Sequence, residues 1–362
     1  MAALADEARR KLEKPRLGEA EAARLALDLW GIACAEGTAT PLDSYDDANF
    51  KLRSTDGPSY VLKVHNGVES ARPAFIEAQN EAMEAVRANA CLCPVALPSL
   101  AGRAVEFAKL ASSGERTHAI RLLPFVSARL MAEVLEPTPD VLREIGVMLG
   151  RVTNALASFE HPATVRSHAW DLALFSQSVS PLLHAVEDVE SRGLVRQVLE
   201  RFAESVAPSA SLLREQVIHG DLNDQNILVS EDLKGAPVGV LDFGDMVRSW
   251  RVSDPSIACA YLVIQLHYKG VRERTAGEIS ALCRAFLSGF AQACELSEDE
   301  RAMLPTLVLA RICTSLVFGA YSASLDPANE YLSLTQLPGW KALRLLLDVP
   351  RADLLGFLTR AE

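Results

Sequence analysis

Positive charge is scarce in this chain of 362 residues, which carries 36 Lys and Arg against 47 Asp and Glu, a formal net charge of −11. Binding to nucleic acid or to an anionic membrane surface depends on clustered basic side chains, so we expect neither as a partner. An acidic balance instead suits a cationic small molecule. With 49% hydrophobic residues the chain can bury a large core, and we expect two lobes that share a cleft.

The cysteine patterns of a disulfide framework or a zinc site are also missing. The seven cysteines are scattered, mostly in apolar stretches, and only Cys91 and Cys93 lie close together. We therefore expect free thiols in a reducing compartment. Segment 1–16 lacks the apolar core of a signal peptide, and no segment offers an unbroken apolar run of about 20 residues for a membrane span. The expected location is the cytoplasm.

The first third of the chain predicts a small antiparallel sheet with helices. An amphipathic helix over 18–30 precedes two runs of alternating apolar residues, which the turn at 55–58 joins into a hairpin. A helix that begins near Pro73 and a second hairpin over 104–123 follow. Lys63 lies inside the second strand of the first hairpin.

The rest of the chain is predicted to be mainly helical. Apolar residues at helical spacing indicate helices over 139–156, 194–206, 255–267, 276–293 and 305–321. We found no repeat or linker, so Pro124 and Phe125 mark a hinge between lobes rather than a boundary between independent domains. The prediction is an α+β fold with a small N-lobe, 1–124, and a larger helical C-lobe, 125–362.

Two motifs between 216 and 245 carry the chemistry. His-Gly-Asp at 219–221 is followed by Asn226, and a short strand then leads to Asp-Phe-Gly-Asp at 242–245. Phosphoryl transfer in protein kinases uses a catalytic-loop Asp to accept the hydroxyl proton, an Asn and a second Asp to bind Mg²⁺, and a strand Lys to neutralise the nucleotide phosphates. Asp221, Asn226, Asp242 and Lys63 match these roles in this order.

Each of these residues alone has an ordinary explanation, because Asp and Asn are common in turns and strand lysines are commonly solvated. The order and spacing of the two motifs favour a kinase. Lys63 then needs an acidic partner on the following helix. Glu77 and Glu81 lie one turn apart and are both candidates, and we favour Glu77.

Other polar residues near the motifs have less specific expected roles. His219 is expected to organise the loop, and Asp254 to cap the helix that follows. Asp245 could approach substrate or metal, or cap a turn. No Gly-x-Gly-x-x-Gly loop precedes Lys63; the equivalent stretch, 42–50, contains acidic residues that would repel phosphate unless they turn away.

These residues resemble the aminoglycoside-phosphotransferase and choline-kinase superfamily, and within it the hydroxylysine kinases. The resemblance covers most of the chain, in the segments 42–47, 60–63, 76–80, 217–229, 239–246, 320–322 and 339–341. It implies a bilobal protein-kinase-like fold, with a nucleotide-binding sheet and helix in the N-lobe. The catalytic loop, the metal site and substrate-binding helices would lie in the C-lobe.

The same resemblance implies Mg²⁺ and transfer of the γ-phosphate of GTP, or of ATP, to the side-chain hydroxyl of 5-hydroxylysine. By position in such a fold, 121–126 would be the hinge whose backbone binds the nucleotide base, with Leu123 and Phe125 as contacts.

Three alternatives remain beside this hypothesis. A kinase of another hydroxylated amine, such as choline, ethanolamine, homoserine or an aminoglycoside, would fit the acidic composition equally well. A protein kinase is disfavoured because few residues separate Asp245 from the helix start at Ser253 and no Ala-Pro-Glu follows. A degenerate nucleotide-binding module is disfavoured because all four catalytic roles are filled.

Overall fold

A five-stranded antiparallel sheet forms the first lobe in the computed structural model, which describes residues 2–35, 37–232, 236–325 and 336–359. The strands follow the order β1-β2-β3-β5-β4 and comprise β1 (Thr40–Leu42), β2 (Ala48–Arg53), β3 (Ser59–Val64), β4 (Glu106–Lys109) and β5 (Thr117–Pro124). Both predicted hairpins are confirmed, since β2 pairs with β3 and β4 with β5. The helices of this part are α1 (Ala2–Leu12), α2 (Glu19–Trp30), α3 (Gly67–Ser70) and α4 (Pro73–Asn89).

The alternation of side chains along β3 decides which residue faces the cleft. Leu62 and Val64 are fully buried in a core that α2 completes with Ala22 and Leu25. Successive strand residues point to opposite faces of a sheet, so Lys63 points away from this core. The period-two pattern of the sequence thus places the lysine on the side of the sheet away from α2.

Helices make up most of the second lobe. Their bounds are α5 (Pro139–Ala155), α6 (Phe175–Val179), α7 (Val189–Ser205), α8 (Ser253–Gln265), α9 (Ala276–Ala293), α10 (Glu298–Leu325), α11 (Gln336–Asp348) and α12 (Leu354–Thr359). Two small antiparallel units lie at the cleft, one of β7 (Glu215–Ile218) with β10 (Val247–Trp250), the other of β6 (Arg129–Leu130), β8 (Ile227–Val229) and β9 (Pro237–Val240). The predicted bilobal α+β fold is confirmed; the boundary at 124 stays a prediction, although β5 ends there.

The start of α10 differs from the prediction. Pro305 was expected to begin this helix but lies inside it, because the helix begins at Glu298. The backbone N–H of Ser297 donates to Glu300 at 2.7 Å and the N–H of Glu300 donates to the Ser297 hydroxyl at 3.2 Å. This reciprocal pair is a capping box, which fixes the true start.

Helix α10 is also long and apolar enough to cross a membrane, which the sequence reading did not expect. Of its most apolar window, 78% is buried inside the protein. The core helix of a globular protein passes the same test of length and composition, so this helix is weak evidence for a span. The cytoplasmic location stays a prediction. All seven cysteines are free, as expected, and five are buried.

Glycines allow α5 and α9 to pack backbone against backbone. A Cβ atom added to Gly289 on α9 would lie 1.9 Å from the carbonyl oxygen of Arg143, and one added to Gly146 on α5 would lie 2.1 Å from that of Phe286. Distances this short cannot be tolerated without moving a helix. The close contact between the two helices therefore depends on the absence of a side chain at these two glycines.

We predict that Gly289→Ala lowers the free energy of unfolding by about 1–3 kcal/mol, the usual cost of overpacking a core. Gly193→Ala is the matched control, because no atom lies within 4 Å of the added methyl group on α7. It should be neutral or stabilising by up to about 1 kcal/mol. Urea unfolding of both variants measures this, and equal stabilities would contradict the packing argument.

Candidate active site

The loop between β7 and β8 is anchored by the side chains of His219 and Asp254. The Nε2 atom of His219 lies 2.9 Å from the carbonyl oxygen of Leu241, and burial lowers the pKa of the ring to about 4, so it is neutral at pH 7. The backbone N–H groups of His219 and Gly220 donate to Asp254 at 3.2 and 3.0 Å. His219 thus organises the loop, as expected.

The sequence had suggested that Asp254 caps the helix that follows it, but the structure shows another role. Helix α8 begins one residue earlier, at Ser253, and the carboxylate of Asp254 is fully buried and accepts the two N–H groups of the loop. Burial raises its pKa to about 6, against the opposing effect of the two backbone hydrogen bonds and of Arg311. Asp254 is therefore structural, and the element that it stabilises is the neighbouring loop rather than its own helix.

Asp221 and Asn226 lie together in this loop. The Oδ2 atom of Asp221 accepts hydrogen bonds from the side-chain amides of Asn223 and Asn226, both at 2.9 Å. Its Oδ1 atom accepts one from Arg311 Nη2 at 2.6 Å. Burial raises the pKa of Asp221 to about 7, against the opposing effect of Arg311. This carboxylate is fixed in direction and poised to take up a proton near neutral pH.

Arg311 was not anticipated from the sequence. Its side chain is 1% exposed and its guanidinium lies 4.8 Å from the ring centre of Trp170 and 5.3 Å from that of Tyr261. Such aromatic surroundings exclude water and strengthen the ion pair with Asp221. A signal existed, because Arg311 is the one charged residue in the apolar run 304–318.

Lys63 and Asp242 meet across the cleft. Lys63 Nζ lies 2.9 Å from Asp242 Oδ2, and the other carboxylate oxygen accepts the N–H of Gly244 at 3.0 Å. Burial opposes ionisation of both groups, but their attraction raises the pKa of Lys63 and lowers that of Asp242. Asp242 has φ of +57°, a left-handed conformation that costs a non-glycine residue energy and often marks a functional site.

The prediction that a glutamate on α4 pairs with Lys63 is wrong. Glu77 and Glu81 are both exposed. The buried face of α4 instead carries Gln79 and Asn80, each of which accepts a hydrogen bond from Arg121 at 2.7 Å. The second carboxylate at Lys63 belongs to Asp47, whose Oδ2 lies 3.2 Å away.

Two of the three acidic residues of the stretch 42–50, Asp46 and Asp47, are buried and turn to cations, whereas Asp43 is exposed. Asp47 pairs with Lys63 and also accepts the N–H of Asn66 at 2.8 Å. Asp46 lies 2.5 Å from Arg10 Nε. The Ser44 hydroxyl accepts the N–H of Asp47 at 3.1 Å and so shapes the loop. The repulsion of phosphate that the sequence suggested is therefore reduced by these two cations.

Arg10 comes from α1, which the sequence reading did not predict, and joins the two lobes. It is 8% exposed, and besides Asp46 it contacts Glu69 at 2.6 Å and Asp245 at 3.5 Å. Asp245 also lies 3.1 Å from His168 Nε2. Burial opposes ionisation of Asp245, but His168 and Arg10 together lower its pKa strongly. Asp245 thus pairs with the Arg10 cation and lies beside His168, whose own pKa is lowered by burial, and no turn cap by the Asp245 side chain is observed among the described residues.

The predicted hinge residues, Leu123 and Phe125, line the cavity that lies between the two lobes. Leu123 belongs to β5, and the N–H of Phe125 donates to the carbonyl of Ser59 at 3.0 Å. Phe125 could therefore contact a base through its carbonyl group or ring, but not through its N–H. Lys51 Nζ covers that ring at 3.8 Å from its centre.

One cavity connects these groups. It has a volume of about 1610 Å³ and is lined by Lys63, Leu123, Asp221, Asp242 and Arg311, among others. Pockets for a single small ligand span about 300–1,000 Å³, so this cavity has room for two molecules side by side.

We predict that Arg10→Met destabilises the protein by about 3–5 kcal/mol, because it leaves buried carboxylates without their cation. Adding Asp46→Asn should recover part of the loss, since one of those carboxylates is then removed. Arg9→Met is the matched control: Arg9 lies on α1, is 55% exposed and pairs with Glu13 just beyond the end of that helix. Thermal and urea unfolding measure all four proteins, and equal losses for Arg9→Met and Arg10→Met would refute the interaction.

Comparison with known proteins agrees with this geometry. The model of the phosphotransferase enzyme family matches residues 38–296. The chain is 33% identical to hydroxylysine kinase of Bos taurus over 358 residues, which covers 94% of this chain and 92% of that protein. It is 34% identical to hydroxylysine kinase of Mus musculus over 355 residues, with 93% and 91% covered.

A solved structure shares the fold. The amicoumacin kinase hAmiN superposes with a TM-score of 0.66 at 16% identity, and the match covers 96% of each chain. The family match includes the segment that contains Lys63, Asp221, Asn226 and Asp242. The chain therefore belongs to the phosphotransferase enzyme family and is a small-molecule kinase that acts on a hydroxyl group.

Proposed function

We propose that this kinase transfers the γ-phosphate of GTP or ATP to the side-chain hydroxyl of 5-hydroxylysine. The observation that carries the proposal is the convergence of Lys63, Asp221, Asn226 and Asp242 on one cavity that has room for a nucleotide and a small acceptor. Relatives named hydroxylysine kinase, which match more than nine-tenths of the chain, support this acceptor.

Asp221 is the proposed general base. Its carboxylate is held by Arg311, Asn223 and Asn226, so it can receive the proton of the acceptor hydroxyl without first reorienting. As the hydroxyl oxygen attacks the γ-phosphorus, its proton passes to Asp221 and the nucleoside diphosphate leaves. A pKa near 7 suits a group that must accept and later release this proton.

Asn226 and Asp242 are the proposed ligands of Mg²⁺. The amide nitrogen of Asn226 is engaged with Asp221, and its amide oxygen accepts no hydrogen bond from the described residues. Asp242 is 41% exposed towards the cavity. Hard amide and carboxylate oxygens fit Mg²⁺, which would neutralise charge on the phosphates.

Lys63 is the proposed phosphate contact, with Leu123 and Phe125 beside the base. In the structure Lys63 is fixed by Asp47 and Asp242, so it is already directed into the cleft. The choice between GTP and ATP depends on backbone groups near the hinge and is open to direct measurement.

We predict turnover of 5-hydroxylysine with Mg-GTP or Mg-ATP, and a loss of about 10²- to 10⁴-fold in kcat for Asp221→Asn, the usual effect of removing a general base. Asp140→Asn is the control, since Asp140 is exposed on α5 and pairs with Arg143. Product formation should be measured for hydroxylysine, choline, ethanolamine, homoserine and an aminoglycoside. Preference for another acceptor would reject hydroxylysine, and no turnover at all would favour a nucleotide-binding module.

We also predict that Arg311→Met lowers kcat by about 10²-fold, because a displacement of a catalytic group by 1 Å can cost that much. Nucleotide affinity should change little, and Arg311→Lys should restore part of kcat by keeping the charge. Arg301→Met, an exposed position on the same helix, is the matched control. A change confined to stability, with kcat unaltered in the folded variant, would show that Arg311 does not position Asp221.

A further inference from the structure

One buried carboxylate in the cavity lacks a cation. Asp224 is 4% exposed and lines the cavity, and its Oδ2 atom accepts a hydrogen bond from the Tyr268 hydroxyl at 2.9 Å. Within the described part of the chain, no Lys, Arg or His side chain lies within ion-pair distance of it. The cavity carboxylates that do have such a partner are Asp46, Asp47, Glu69, Glu133, Asp221, Asp242 and Asp245.

The position of Asp224 is fixed close to the reacting end of the cavity. It lies in the loop between Asp221 and Asn226, and its carbonyl oxygen accepts the N–H of Ala132 at 2.9 Å. Asp221, Asp224 and Tyr261 all line the same cavity. A small acceptor could therefore reach both carboxylates at once.

An uncompensated carboxylate in such a place is costly for the folded protein. Asp224 is 4% exposed, so an ionised carboxylate there loses most of its hydration, and no cation among the described residues replaces it. A bound cation would relieve this cost, and the aromatic ring of Tyr268, whose hydroxyl contacts Asp224, provides a surface that cations favour.

We propose that Asp224, with Tyr268 beside it, binds an ammonium group of the acceptor while Asp221 receives the proton of its hydroxyl. This inference rests on the proposed function and deepens it, since it assigns the residue that selects an amine. A purely structural Asp224 would need only to accept the hydrogen bond from Tyr268, which the oxygen of an asparagine can do equally well.

The test compares acceptors with and without an amine. kcat/KM is measured for 5-hydroxylysine and for its two analogues that lack either the α-amine or the ε-amine, with the wild type, Asp224→Asn and Glu273→Gln. Glu273 is an exposed carboxylate that also lines the cavity, and its variant controls for general negative charge. The wild type should disfavour one analogue by about 30-fold or more, the effect of removing one partner of a buried charge pair.

In Asp224→Asn the ratio of kcat/KM for 5-hydroxylysine to that for the disfavoured analogue should fall close to one. In Glu273→Gln this preference for the amine should be unchanged. A preference that survives in Asp224→Asn would overturn the proposal. So would a rise confined to the KM of the nucleotide, because the carboxylate would then serve the phosphoryl donor.

Two further arms keep the test decisive. If Asp224→Asn does not fold, Tyr268→Phe, which removes only the hydroxyl, should lower the preference in part, and an unchanged preference would again overturn the proposal. If the wild type rejects hydroxylysine but accepts another hydroxylated amine, the proposed substrate is wrong, and the same comparison is made with that amine and its analogue without nitrogen. No turnover of any amine would reject both proposals.

Discussion

The ion pair between Lys63 and Asp242 connects the sheet to the helical lobe. Lys63 projects from β3, the central strand of the sheet, on the face opposite the N-lobe core, whereas Asp242 follows β9 on the other side of the cleft. Both lobes must keep their own internal order for these atoms to stay 2.9 Å apart. Because desolvation of the two charges offsets much of their attraction, this ion pair fixes the positions of Lys63 and Asp242 more than it stabilises the fold.

The same reasoning applies to the second connection between the lobes, that of Arg10 with Asp245. Arg10 also contacts Asp46 and Glu69, so one cation from α1 satisfies carboxylates on both sides of the cleft. In this part of the cavity wall, acidic side chains are thus held by a few buried cations. The left-handed backbone of Asp242 adds local strain to this region. Such a site favours the binding of charged ligands over maximal stability of the free protein.

Short-range patterns predicted much of this structure. Alternation located the strands of both hairpins, and helical spacing located α2, α4, α5, α7, α8 and α9. Asp221, Asn226 and Asp242 could be recognised because they lie on two short loops next to strands.

The choice of Glu77 failed because one turn of helix offers several faces, and the buried face of α4 was taken by Gln79 and Asn80. Arg10 and Arg311 were missed for another reason: they meet Asp245 and Asp221 across 235 and 90 residues, and no local pattern records such a contact.

The location of these two arginines along the chain has a physical consequence. The family match covers 38–296, which contains Lys63, Asp221, Asn226 and Asp242, whereas Arg10 precedes it and Arg311 follows it. The groups proposed for chemistry therefore lie in the shared segment, and the cations that hold Asp221 and Asp245 come from its flanks. A buried carboxylate needs a cation or several donors to keep its charge and direction. Substitutions in α1 or α10 can thus alter the reacting groups without contacting any ligand, so the flanks of this chain belong to the working unit of the enzyme.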